Sequence, residues 1–279
     1  MHPHLSVRYI NGRRPLKLKL RPANEVGISV SLAGKQQAAG YNLKDFHDQV
    51  RSELPGFERA IPSDGPEILQ LRGLPPLSIE PFVDRWFLKS ADETLAFQLQ
   101  DNMVGYNWRR RSTPGTPTNY PGFDTLKASF EKYVRCLADW HTDRGWAVPD
   151  PVAVELFYDD ILPMVPDPDT GTLRLSNLLS WFNPNDPSSS AMFGWTNMWV
   201  EGITSTPPPQ GPMLKIRAEM GVVTEGPEVE PRSVIRLQFI AAGICSNWDE
   251  VNSFLQVAHD YIGVRFSEVI IPKAMKAWM

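Results

Sequence analysis

Leu95-Ala96-Phe97-Gln98-Leu99-Gln100-Asp101-Asn102-Met103-Val104-Gly105-Tyr106-Asn107-Trp108 is the stretch on which the fold turns. Leu95, Phe97 and Leu99 alternate with Ala96, Gln98 and Gln100, and after Asp101-Asn102 the alternation resumes at Val104, Tyr106 and Trp108. A period of two marks a strand with one buried face. Asp and Asn tolerate positive φ, so Asp101-Asn102 suits a two-residue turn. That turn pairs Leu99 with Val104, Phe97 with Tyr106 and Leu95 with Trp108, and it puts all six on one side of an antiparallel hairpin. Phe82 to Leu88 reads as a further strand upstream.

Working outward, Pro121 opens a helix whose apolar positions Phe123, Leu126, Phe130, Tyr133, Val134, Leu137 and Trp140 recur at steps of three and four. Gly145 follows its end, and Pro149 to Pro151 form a hinge. Before the hairpin, Leu16 to Val30 alternates as two short strands or one interrupted at Pro22-Ala23-Asn24. A helix over Asn42 to Leu54 follows, with Asn42 as its cap and Pro55-Gly56 as its stop. After the hinge, Val152 to Tyr158, Leu173 to Phe182, Met192 to Glu201, Leu214 to Met220 and Val234 to Ile244 read as strands, the last central and covered on its inner face. Asn247 with Glu250 three residues on has capping-box logic for a final helix with Val251, Phe254, Leu255, Ala258, Ile262, Phe266 and Val269 as its buried stripe. Pro272 ends or kinks it. The expectation is an α+β fold: two similar halves, residues 1–148 and 149–279, each of mostly antiparallel strands followed by a long amphipathic helix packed on the sheet.

Composition bounds the function. The chain has 279 residues, 42% hydrophobic and 22% charged, which is a globular balance. Its formal net charge of −4 disfavours a generally basic nucleic-acid binder. The 26 prolines punctuate loops, at about twice the usual ~5%. Two cysteines, Cys136 and Cys245, make no disulfide framework and suit a reducing, cytoplasmic setting. The amino-terminal residues lack the apolar core of a signal peptide. Phe239 to Cys245, the most apolar short run, falls far below the ~20 residues that span a bilayer. No membrane partner is expected.

Catalytic fingerprints fail in turn. There is no GxGxxG, phosphate-binding loop, GxSxG or HExxH, and the five histidines show no metal-ligand spacing. No catalytic residue, metal or cofactor is therefore expected. Trp108-Arg109-Arg110-Arg111 could contact an anion or nucleic acid, or could be a solvated strand end with Trp108 in the core. Alternation puts Arg109 and Arg111 opposite Trp108, which weakens a joint stacking platform. Lys17, Lys19 and Arg21 alternate with leucines, as on a cationic strand face. His259-Asp260, His141 near Asp143 and His47 beside Asp48 read as packing or hydrogen-bonding groups. Asp159 and Asp160 face opposite ways on a strand, so they do not share one ion, and Asp167 and Asp169 read as a turn. Trp181, Phe182, Phe193, Trp195, Met198 and Trp199 crowd one region. Phe193, Trp195 and Trp199 share a strand face, which if exposed is an aromatic patch for a partner.

Several segments together resemble a known family. They are the hairpin ending in Tyr106-Asn107-Trp108-Arg109, the opening Tyr120-Pro121-Gly122-Phe123, the strand Phe157-Tyr158-Asp159, and Ala258-His259-Asp260-Tyr261-Ile262 with Phe266, Ile270 and Trp278. They are similar to the TIGR04255 family, sporadically distributed bacterial proteins without an established activity. The resemblance runs from Asn42 to Met279, with Asp159 where the family more often shows Asn. It implies accessory genes, such as those of mobile-element, toxin–antitoxin or phage-defence loci, and it transfers no catalytic residue.

The resulting expectation is a cytoplasmic, non-enzymatic protein-interaction subunit of an accessory bacterial system, with another protein as partner and nucleic acid not favoured. The alternative is an enzyme or nucleic-acid-acting factor whose site is assembled from His259, Arg109 and Asp159. These differ in geometry. Catalysis needs His259 and a carboxylate converging in a cleft; an interaction module needs Trp195 and Trp199 exposed.

Overall fold

The computed structural model describes residues 23–62, 68, 84–113, 116–117, 120–164, 179, 196–204, 211–223 and 232–270. In chain order its elements are β1 (Ala23–Leu32), α1 (Leu43–Val50), β2 (Gly56–Ala60), β3 (Arg85–Lys89), β4 (Leu95–Gln100), β5 (Met103–Arg109), β6 (Ser112–Thr113), β7 (Thr116–Pro117), α2 (Phe123–Thr142), β8 (Pro151–Pro163), β9 (Thr196–Gly202), β10 (Met213–Val223), β11 (Arg232–Ile244) and α3 (Trp248–Val269). Nine strands form one antiparallel sheet in the order β2-β3-β4-β5-β1-β8-β11-β10-β9, and β6 pairs with β7 separately. The fold is α+β, as the patterning indicates.

The hairpin has the register that alternation dictates: Leu95 opposite Trp108, Phe97 opposite Tyr106 and Leu99 opposite Val104. Both halves of the chain repeat one connection scheme. A first strand is laid down, a meander follows, and the last strand of that meander returns to pair with the first. Thus β5 returns to β1 and is followed by α2, while β11 returns to β8 and is followed by α3. The two first strands meet at the centre, where β1 runs antiparallel to β8 from Ala23 opposite Asp160 to Leu32 opposite Pro151.

Two neighbouring rows of residues across the sheet show how its faces differ. Phe57, Leu88, Phe97, Tyr106, Ile28, Leu156, Ala241 and Leu214 stand opposite one another in successive strands. All of these but Phe57, on the outermost strand, are buried. The helices cover this side: Phe46 of α1 packs on Phe97, Tyr133 of α2 on Phe97 and Tyr106, and Phe266 of α3 on Phe239. Each fully buried large apolar side chain contributes about 1.5–3 kcal/mol. The adjacent row reads Lys89, Ala96, Asn107, Gly27, Phe157, Ile240, Lys215 and Val200, and it lies on the side away from the helices. One end of that side is closed where Ile68 packs with Ala153, Met213 and Ala242, all buried.

Several local expectations are corrected. Pro121 does not sit in the first turn of α2. The helix starts at Phe123 because Gly122, its cap, takes φ +93°, a conformation that breaks a right-handed helix. Asn42 precedes α1 without capping it, since its side chain donates to the carbonyl of Gln37 instead. The helix stops at Val50, four residues short of Leu54. β1 runs through Ala23-Asn24, where a register shift absorbs the expected break as a bulge. The carboxy-terminal helix agrees with its sequence signal: Asn247 Oδ1 accepts from the Glu250 N–H at 2.9 Å. The Glu250 carboxylate reaches back to the N–H of Ser246 at 2.7 Å, one residue beyond the usual box. β11 lies between β8 and β10, inside the sheet, as its apolar run indicates. Residues 1–22, most of the Leu173–Phe182 strand expectation, Pro272 and Trp278 lie outside the described residues.

Candidate functional site: a charged groove on the sheet face away from α1, α2 and α3

Strand pleating sends Gln98 and Asn107 to the side opposite Phe97, Tyr106 and Trp108, and there they join a transverse polar chain. Arg85 Nε donates to Gln98 Oε1 at 3.1 Å, Gln98 donates to Asn107, and Asn107 Nδ2 donates to Glu25 Oε1 at 2.9 Å. Beyond it, the carboxylate of Asp159 accepts from Asn24 at 3.1 Å and from Arg236 at 2.6 Å. The side chain of Asp159 is only 2% exposed, and this pairing compensates its burial. The hydrogen bond to Asp159 holds the Arg236 guanidinium above its ordinary range, whereas burial draws Arg85 down. Strands β3, β4, β5, β1, β8 and β11 are thus tied side chain to side chain on the face opposite α1, α2 and α3.

At the β3–β1 end of this face lies a groove of about 390 Å³. Its floor is low because Ala96 sits between Lys89 and Asn107 in the register, and Phe87 and Thr94 complete it. Three ion pairs line it. Lys89 pairs with Glu58, Arg111 Nη2 lies 3.0 Å from Glu93, and Arg109 Nε lies 3.9 Å from Glu25. The hydrogen bond from Lys89 keeps the Glu58 carboxyl below its ordinary range. Such an array offers fixed charges of both signs beside a small apolar floor, which is binding chemistry.

The sequence-derived candidates separate. Trp108 is buried at 2% exposure against Tyr120, on the helix side. Arg109 and Arg111 reach the groove, so the aromatic group beside them is Phe87 and not Trp108. Arg110 is exposed and does not line the groove; its backbone N–H donates to the carbonyl of Asn24. Trp199 belongs to β9 and stands opposite Ile216, but its side chain lies outside the described residues. Phe193, Trp195, Trp181, Phe182, Asp167 and Asp169 lie outside them too, as does the basic stretch before Ala23.

His259, Arg109 and Asp159 are not brought together. His259 stacks on Phe123 with centroids 4.1 Å apart and planes within 6°, and its Nδ1 lies 2.8 Å from the Tyr158 hydroxyl. Tyr158 and Asp159 are neighbours on a strand and face opposite ways, so the sheet itself separates His259 from the carboxylate. His47 Nε2 lies 2.8 Å from the carbonyl of Leu54, and His141 is bonded to backbone on both ring nitrogens. Among the described residues no three His, Cys, Asp or Glu side chains are placed to hold a metal ion, and no helix is long and apolar enough to cross a membrane.

Sequence reasoning missed Glu25, Glu58, Phe87, Lys89 and Glu93. Glu25 and Lys89 carry a signal in hindsight, since each adjoins an apolar residue of the packed face. Their convergence depends on register across five strands, which no local pattern carries. In comparisons with known proteins, no family model and no curated sequence matches the chain.

Proposed function

We propose that this chain is a non-enzymatic protein-interaction subunit of an accessory bacterial system, working in the cytoplasm without a cofactor. The system is of the phage-defence or toxin–antitoxin kind that the TIGR04255 resemblance implies. The observation that carries the interaction reading is the division of the sheet. One face is covered by α1, α2 and α3, and the other presents a groove where Lys89 and Arg111 are held by Glu58 and Glu93. A pre-set polar surface of this kind loses little side-chain freedom on binding. The mixed signs favour a protein over a nucleic acid, because a polyanion would meet Glu25, Glu58 and Glu93 together.

The test is affinity purification of the tagged full chain from its native host, with a nuclease-treated sample in parallel. The expected result is a stoichiometric protein that survives nuclease and is lost when the groove floor is filled by Ala96→Trp. Material that disappears with nuclease, or an empty eluate, overturns the reading.

A further inference from the structure

The six charges around the groove are not equally committed. Lys89 is hydrogen-bonded to Glu58 and only 15% exposed. Arg111 holds Glu93 twice, by Nη2 to the carboxylate at 3.0 Å and by Nε to the backbone carbonyl at 3.3 Å. Arg109 differs. Its side chain is 58% exposed, and among the described residues its one ion-pair partner is Glu25 Oε2 at 3.9 Å, beyond hydrogen-bond reach. Glu25 is held elsewhere, with Oε1 taking the Asn107 amide at 2.9 Å. Among the described residues the Arg109 guanidinium therefore keeps a planar fork of donors free at the groove, a geometry matched to a carboxylate. Ala96 and Phe87 lie alongside and suit the methylene stem of the incoming group.

Resting on the protein-interaction reading above, we propose that Arg109 anchors one Asp or Glu side chain of the protein partner in this groove. The neighbouring carboxylates set the specificity. A single carboxylate can pair with Arg109 while Asn107 restrains Glu25, but a run of phosphates or acidic residues would be repelled by Glu25, Glu58 and Glu93.

The probe is the peptide acetyl-Ala-Glu-Ala-amide, titrated into the full chain labelled with ¹⁵N, with the arginine Nε–Hε resonances as readout. The expected result is a saturable shift at Arg109 that acetyl-Ala-Gln-Ala-amide does not produce, that Arg109→Gln abolishes and that Arg110→Gln preserves. An equal response to the Gln peptide, or saturation by inorganic phosphate or an oligonucleotide in its place, overturns the proposal. With a captured partner the two readings part. Arg109→Gln weakening the complex by roughly tenfold or more supports the anchor. Loss of the partner with Ala96→Trp but not with Arg109→Gln keeps the interaction surface and removes the anchor. Retention of the partner by both variants removes both.

Discussion

The imidazole of His141, at the end of α2, accepts a hydrogen bond from the backbone N–H of Gln37 at 3.2 Å, across 104 residues of sequence. The same ring places Nδ1 2.9 Å from the carbonyl of Ala147. A nitrogen that accepts and a nitrogen that faces a carbonyl leave one assignment, the neutral ring with its proton on Nδ1. His141 is fully buried, and it joins the turn after β1 to the segment leading into β8. ¹⁵N spectra of the imidazole should show the Nδ1–H tautomer, and an Nε2–H ring would refute the geometry. His141→Ala should cost about 2–4 kcal/mol in urea unfolding, from the lost packing of a fully buried ring and the loss of its two hydrogen bonds to backbone.

The seam between β1 and β8 tolerates no side chain at Gly27. A Cβ there would lie 2.2 Å from the Phe157 ring and 2.9 Å from Asn107. Gly27→Ala should destabilise by about 1–3 kcal/mol through overpacking. In a Phe157→Ala background the added penalty should shrink, and a double-mutant cycle measures the coupling. Strict additivity would show that the two residues do not touch.

Asp260 is held above its ordinary value of 3.8, first by burial and further by the charge of Asp124; a hydrogen bond from Gln256 opposes both. A raised carboxyl favours its neutral form in the native state. Its contribution is whole below the unfolded value and is lost as pH rises through the folded one. Asp260→Asn should therefore stabilise the protein at pH 7, with a gain that fades as pH falls from the raised folded value towards 3.8 and is absent below it. A gain independent of pH would place its cause elsewhere.

Burial pushes the Cys245 thiol up to about 12, whereas Cys136 is part-exposed. At pH 8 a thiol-specific disulfide reagent should modify Cys245 only on unfolding. Rapid modification of both cysteines in the native state would contradict its burial.

What the sequence reveals depends on the reach of each interaction. The Phe97–Tyr106 pairing is legible because the turn and both strands lie within fifteen residues. The Asn247 cap is legible because donor and acceptor are three residues apart. Pro121 misleads because the favourable signal of proline is overridden by the positive φ of Gly122. Arg109 and Arg111 are visible as candidates, and the alternation already separates them from Trp108. Their neighbours are not visible, because Glu58 meets Lys89, and Glu25 meets Arg109, only after strands distant in sequence have paired. The central pairing of β1 with β8 is hidden for the same reason: Asn24 and Asp159 are 135 residues apart.

That central pairing has the geometry of a subunit interface. Each half of the chain offers its first strand, antiparallel, to the first strand of the other, which is how two copies of a half-length protein would meet about a two-fold axis. Joining such copies in one polypeptide replaces a bimolecular association with an intramolecular one, so the join cannot dissociate on dilution. The Arg109 groove lies on one side of that axis, and on the other lie the ion pairs of Arg217 with Glu219 and of Arg236 with Asp159.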